Sequence, residues 1–346
     1  MQNAQSTIDW AREILSIIEH SIAQGQPPHQ ILGHLQVGIF SIMVLIAMTQ
    51  QEDSMRFGIS LPPFGDYADP HFLAHAAREA EDAGWDGFFI WDHIMFDPSF
   101  HPIADPWLGL AAVALNTSRM RLGTTVTPLA RRRPWKVARE TVSLDILSGG
   151  RLILGVGLGD PVQWDYGFFG EEQDAKIRAK KLDEALDILT GLWSGERFRY
   201  QGDHYKLEEV IFLPRPVQTP RIPIWVGGFW PNKAPMRRAA RWDGVYPISQ
   251  QWRDSTISSE DWREILAFVK QHRTSDAPFD IIQAGATPGD DPAKAAEIVR
   301  PYVDAGVTWW IEGIDPWRFG ADWEESWFPH DTQRMRERIL QGPPKL

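Results

Sequence analysis

The amino-acid sequence predicts an α/β chain of the (β/α)8 TIM-barrel class, with insertions, preceded by a segment of different character. Three observations predict it. Beyond residue 54, short runs rich in β-branched and aromatic residues alternate with longer amphipathic stretches, the order that builds parallel sheets. Eight such runs are present, and right-handed crossovers with no evident antiparallel partner favour a closed cylinder over an open sheet. The composition, 43% hydrophobic and 23% charged over 346 residues, supplies a sizeable core.

Residues 1–54 read as an appendage, helical near Ile8–Ala23 or else poorly ordered, with a break at Gly25–Pro28 and an apolar run at Val37–Met48. That run falls short of the roughly 20 residues a spanning helix needs. It also lies too deep, behind Asp9, Glu13 and Glu19, to be the core of a signal peptide, so no membrane span and a cytoplasmic location are expected. The catalytic domain is expected over residues 55–346.

Its strands are predicted at Arg56–Leu61, Gly87–Asp92, Arg121–Thr127, Leu152–Gly157, Ile224–Gly228, Gly244–Ile248, Asp280–Ala284 and Thr308–Glu312. Helical patterns fall between them at Pro70–Ala83, Pro134–Leu147, Ile177–Trp193, Ser259–Arg273 and Pro292–Asp304. Asp69-Pro70 and Asp291-Pro292 each place a capping carboxylate before proline at the first helical position. Phe198–Pro216 alternates like a hairpin around Gln201-Gly202-Asp203 and reads as an insertion after the fourth helix.

The formal net charge of −11 sets the surface against a phosphate backbone, so nucleic acid is not expected as a partner. The absence of cysteine excludes disulfides, thiolate nucleophiles and cysteine-ligated metals, and redox chemistry would need an organic cofactor. Seventeen Trp and seventeen Phe suit either a core or a pocket for a planar ligand.

In a barrel, functional groups sit at strand C-termini and in the loops after them. Asp92 and His93 follow the second strand, where His93 can donate to a polar ring edge or exchange a proton; a capping Asp beside an exposed His is the alternative. Thr124, Thr125, Val126 and Thr127 end the third strand, with little bulk where a flat ring could rest. Gly155-Val156-Gly157-Leu158-Gly159 has the wrong spacing for a dinucleotide fingerprint and instead allows close backbone approach to a cofactor. Asp160 then stands at the rim as a proton donor or acceptor, or caps the turn before Pro161. Gly227 and Gly228 offer two bare amides for a phosphate, or a tight turn. Arg131, Arg132 and Arg133 either grip an anionic tail or form a solvated loop. The rings of Trp164, Tyr166, Phe168 and Phe169 suit an apolar pocket or core packing. His71 and His75 share a helix face, but no third ligand is placed nearby, so a polar outer face is expected and no metal site.

Trp91-Asp92-His93, the stretch Leu122–Asp160 with Leu144–Val156 inside it, Pro223–Gly228 and Arg238–Gly244 together resemble the bacterial-luciferase-like flavin-dependent oxidoreductases, over about Met55–Ile314. The resemblance implies FMN or the deazaflavin coenzyme F-420 lying over the third strand, with a non-proline cis peptide at Thr125-Val126. It implies cofactor contacts at Asp92, Thr124, Thr125, Val126, Gly159, Gly227 and Gly228, and catalytic roles for His93 and Asp160. Deazaflavin-using members share the Asp-His pair, matched by Asp92 and His93. Some relatives carry Glu where Asp160 stands. Residues 1–54 match nothing in the family.

The leading expectation is a monooxygenase acting through reduced FMN on a small organic substrate, with a partner reductase and NAD(P)H entering only indirectly. The alternative is hydride exchange with the deazaflavin and no oxygen chemistry. A non-catalytic flavin-binding subunit is a further alternative. Homodimers are usual in the family.

Overall fold

The computed structural model describes residues 55–96, 102–251, 255–320 and 329–346. The expected appendage at residues 1–54 lies outside the described residues. Among the described residues there are eleven strands: β1 (Arg56–Leu61), β2 (Gly87–Ile90), β3 (Arg121–Thr124), β4 (Thr127–Pro128), β5 (Leu152–Gly157), β6 (Arg197–Gln201), β7 (Lys206–Ile211), β8 (Ile224–Trp230), β9 (Gly244–Ser249), β10 (Asp280–Gly285) and β11 (Trp309–Gly313). The helices that matter for the site are α1 (Pro70–Ala83), α2 (Pro106–Asn116), α3 (Pro134–Ser148), α4 (Val162–Asp165), α5 (Ala175–Trp193), α6 (Lys233–Ala239), α7 (Ser259–His272), α8 (Pro292–Asp304) and α9 (Pro329–Leu340).

All pairings in the main sheet are parallel, and the β1–β11 and β3–β5 pairings complete the ring. Because β3 and β4 are two halves of one stave, the sheet is an eight-staved barrel. The stave expected as Arg121–Thr127 is thus interrupted: the ladder stops after Thr124 and resumes at Thr127, with the Thr125-Val126 peptide cis in the gap. The insertion forms the expected antiparallel hairpin, β6 with β7. The helices α2, α6 and α9 were not anticipated. The α2 sequence PWLGLAAVALN is apolar nearly all round and shows no helical stripe to read.

Tryptophan fills the barrel. Phe89, Trp225 and Trp309 meet inside it with ring centroids 5.0 to 5.9 Å apart, alongside Ile153, Tyr246, Ile282 and Ile311. Asp280 accepts from the indole nitrogens of Trp225 (2.9 Å) and Trp309 (3.2 Å), so these large rings are buried without an orphaned donor. Gly87 makes the room, since a Cβ there would lie 2.9 Å from the Trp309 ring. Glycine also sets the closest contact between staves: a Cβ on Gly123 would stand 2.0 Å from the Ile153 carbonyl oxygen, and one on Gly155 2.0 Å from that of Thr124.

Candidate active site

The parallel ladder delivers every expected site residue to one end of the barrel. Asp92 and His93 follow β2, Thr125 and Val126 lie between β3 and β4, Gly159 and Asp160 follow β5, and Gly227 and Gly228 lie in the last part of β8. Thr125 and Val126 are half-buried between fully buried neighbours, so the interrupted stave presents itself as a floor at the mouth. The Thr125 hydroxyl shares a 2.7 Å hydrogen bond with Ser60 Oγ, which also accepts from the Trp91 indole at 3.1 Å. One hydroxyl pair thereby ties β1, the residue after β2 and the floor together.

Several expected roles change. Thr124 is fully buried; its hydroxyl donates to the Gly155 carbonyl (3.0 Å) and accepts from Thr127 (3.0 Å), so it is spent inside the wall. The glycines of the β5 exit do not stand open for a cofactor. Side chains at Gly157 and Gly227 would meet Val126 at 2.6 and 2.9 Å, so these positions receive the floor residue. No turn occurs at Gly227 and Gly228; β8 runs extended through both to Trp230, paired with β9, and a Cβ on Gly228 would strike Pro235 of α6 at 2.3 Å. Gly159 has φ +80°, and its carbonyl, with that of Leu158, accepts from Arg178 of α5 (3.2 and 2.6 Å). The Leu158 carbonyl also accepts from Tyr166 at 2.8 Å, which braces the exit loop below Asp160. Asp160 is exposed at the rim before a cis peptide to Pro161.

Arg131 and Arg132 are neither a solvated loop nor a free anion grip. Each donates to Asp92 Oδ1 at 2.7 Å, and Arg131 also donates to the Asp92 carbonyl at 2.6 Å. Asp92 is completely buried. Burial alone would raise its pKa, but the Arg132 and Arg131 guanidiniums outweigh it and hold the carboxyl below its usual range. Its other oxygen, Oδ2, is buried with no hydrogen-bond partner among the described residues. His93 Nδ1 lies 2.8 Å from Oδ2 of Asp165, a fully buried residue of α4 whose Oδ1 accepts from the Ile94 amide at 2.9 Å. Arg131 stands 3.9 Å from Asp165.

Around His93 the loops bring an aromatic wall. Phe64, Trp91 and Phe96 ring it at centroid distances of 6.0, 6.0 and 4.9 Å. Trp164 packs on Phe96 at 5.4 Å, and Trp317, after β11, stacks on Trp91 at 6.0 Å. Of the four rings expected after β5, Trp164 joins this wall and Tyr166 is core, whereas Phe168 and Phe169 are half exposed. Asp315 sits beside Trp317; burial raises its carboxyl above the usual range although the Arg318 amide donates to it at 3.0 Å. His71 and His75 are exposed on α1.

Asp165, Phe64, Phe96 and Trp317 escaped sequence reasoning. They come from separate loops, and no spacing in the chain announces that those loops converge on His93. For Arg131 and Arg132 the basic run was visible, but its partner Asp92, some forty residues upstream, was not.

The model of the luciferase-like monooxygenase family matches residues 55–343. The chain is 31% identical over 262 residues to an F420-dependent glucose-6-phosphate dehydrogenase of Microbacterium testaceum, covering 73% of this chain and 74% of the relative. It is 32% identical over 275 residues to an F420-dependent hydroxymycolic acid dehydrogenase of Mycobacterium tuberculosis, covering 77% and 68%. Among solved structures, the coenzyme F420-dependent tetrahydromethanopterin reductase of Methanopyrus kandleri superposes with a TM-score of 0.64 at 18% identity, covering 83% of this chain and 97% of that one.

Proposed function

Because this chain belongs to the luciferase-like monooxygenase family across residues 55–343, we propose that it is a deazaflavin-dependent oxidoreductase, exchanging hydride between coenzyme F420 and a small organic alcohol or its carbonyl partner. This reverses the order expected from sequence alone, which put oxygenation at reduced FMN first. The family model is described by monooxygenation, while the two relatives reported above are named for F420 and for dehydrogenation.

The observation that carries the reading is the His93 imidazole, after β2 at the same end of the barrel as Thr125 and Val126 and held by a buried carboxylate. Oxidising an alcohol removes a hydride and a proton, so a dehydrogenase needs a proton acceptor within reach of the substrate. The residues present also fit a deazaflavin ring. Asp92 Oδ2 is a buried acceptor with no hydrogen-bond partner among the described residues, and Thr125 and Val126 are only half-buried where the stave is interrupted. Asp92, Thr125 and Val126 would hold the ring, and the bound coenzyme would supply the hydride acceptor. His93 takes the proton, Trp91 and Phe96 exclude water, and Ser60 fixes the floor through Thr125.

The substrate we propose is apolar rather than a sugar phosphate. Among the described residues, Arg131 and Arg132 are committed to Asp92, Arg178 to backbone carbonyls and Arg318 to Glu312 at 2.7 Å, which leaves only the exposed Arg133 of the basic run to meet an anion. The aromatic wall offers area to a hydrocarbon and little to a phosphate. The test is fluorescence titration of the protein with the deazaflavin coenzyme and with FMN, followed by anaerobic reduction of the bound coenzyme with secondary alcohols and with glucose 6-phosphate. Tight deazaflavin binding with turnover of an apolar alcohol is expected. Binding of FMN alone, or product that forms only with oxygen, would overturn the reading.

A further inference from the structure

The mechanism above uses His93 as a proton acceptor but leaves open which ring nitrogen is available. We infer that Asp165 is the positioning residue that fixes His93 as its Nδ1–H tautomer and so leaves Nε2 as the acceptor facing substrate; the inference rests on the deazaflavin dehydrogenase reading only for its kinetic consequence.

Three features of the geometry carry it. Asp165 is fully buried and its Oδ2 meets His93 Nδ1 at 2.8 Å. A carboxylate has acceptors only, so the hydrogen in that contact belongs to Nδ1, and a neutral imidazole then has its lone pair at Nε2. Next, Asp165 cannot swing away cheaply, because Oδ1 accepts from the Ile94 amide at 2.9 Å, one residue beyond His93. Both oxygens thus grip the same short segment, and the carboxylate orients ring and backbone together. Finally, the charges around the pair are arranged in alternation: Arg132, Asp92, Arg131, Asp165, with Arg131 within 2.7 Å of one carboxylate and 3.9 Å of the other. Two cations and two anions balance there while the imidazole is neutral, the form a base requires at the start of the reaction.

In the forward step the substrate O–H bond breaks and its proton passes to His93 Nε2, giving an imidazolium bonded at Nδ1 to Asp165. The coenzyme, when bound, would supply the acceptor for the carbinol hydride, and the oxygen's freed electron pair closes the C=O bond as that hydride leaves. Asp165 keeps its charge throughout. It acts through His93 without touching substrate, in the way an orienting carboxylate serves a histidine base elsewhere.

The experiment has two arms. In the ligand-free protein, nitrogen-15 NMR of the imidazoles, with His93 assigned by its loss in His93→Gln, is expected to show Nδ1 protonated and Nε2 bare. Asp165→Asn, whose amide can present N–H to the ring, is expected to move His93 toward the other tautomer. In the loaded enzyme, the same variant is expected to lower kcat by about 10²-fold with KM and coenzyme affinity within about threefold, and Asp165→Glu to recover part of the loss. An Nε2–H tautomer in the unsubstituted protein, or an Asn variant with unaltered tautomer and kcat, overturns the inference. If Asp165→Asn fails to fold, the tautomer in the unsubstituted protein decides alone. Failure to bind deazaflavin would sink the functional reading instead, and the NMR arm would still stand.

Discussion

Asp92 carries a large electrostatic consequence for the site, because among the described residues it alone meets both Arg131 and Arg132 at hydrogen-bond distance. Replacing one member of a buried ion cluster leaves the others charged without a partner, which typically costs about 3–5 kcal/mol. Asp92→Asn is therefore expected to lower the denaturation midpoint in urea strongly, and to abolish coenzyme binding even at temperatures where the variant stays folded. The pH dependence has a definite sign. The folded carboxyl titrates below its usual value, so its stabilisation is present above about pH 4 and is lost as pH falls through the depressed folded value. The Asn variant should lack that acid limb; an unchanged limb below pH 4 would show that Arg131 and Arg132 do not hold Asp92 charged. At this scale the sequence disclosed which residues reach the rim, since strand ends can be located from pattern. It did not disclose their partners: Asp165 meets His93 across 72 residues of chain, and such a contact has no periodicity to betray it.

Among the elements, the stave made of β3 and β4 depends most on individual residues. Its neighbours touch it backbone to backbone at Gly123 and Gly155, where an added methyl would sit 2.0 Å from a carbonyl oxygen. No side-chain rotation relieves that contact, so Gly123→Ala is expected to cost more than about 4 kcal/mol or to prevent folding, as read by circular dichroism and thermal melting. A folded Gly123→Ala protein of ordinary stability would mean that the two staves can separate there. The entry to β3 is fixed by Glu81 at the end of α1, whose carboxylate accepts from the amides of Ser118, Arg119 and Met120 at 2.8 to 3.0 Å. Burial pushes this carboxyl up, but those amides outweigh it and bring it to about 2. The stabilisation it gives is then complete above about pH 4.5 and disappears between there and pH 2. Glu81→Gln should lose stability at neutral pH and show a flatter acid unfolding profile across that window. All eight staves were legible because a parallel strand buried on both faces reads as a compact apolar run. The interruption at Thr125-Val126 was legible only through the family resemblance, which implied the non-proline cis peptide found there; strand pattern hides it, since Thr and Val are good strand formers. The helix α2 was missed for a related reason: a helix apolar on every face shows no stripe.

That same property of α2 bears on how whole molecules meet. No helix among the described residues is long and apolar enough to cross a membrane. Yet Leu108 and Leu115, two turns apart on one face of α2, are 67% and 70% exposed, with Ala111 and Ala112 between them. At the end of the neighbouring α3, Ile146 and Leu147 are also more than two fifths exposed. Water covers such apolar side chains only at a cost, roughly 25 cal/mol for each Å². Homodimers are usual in the family the sequence resembles, so a second copy of this chain is the expected cover. A helix face with leucines at both ends and alanines in the middle is self-complementary about a two-fold axis, where each leucine can rest on the other copy's alanines. Sedimentation of the full chain is expected to give a dimer at micromolar concentration, and Leu108→Glu with Leu115→Glu to give a folded monomer that still binds coenzyme. If the unsubstituted chain sediments as a monomer at that concentration, α2 is not a self-association face, and its leucines are covered by something other than a second copy.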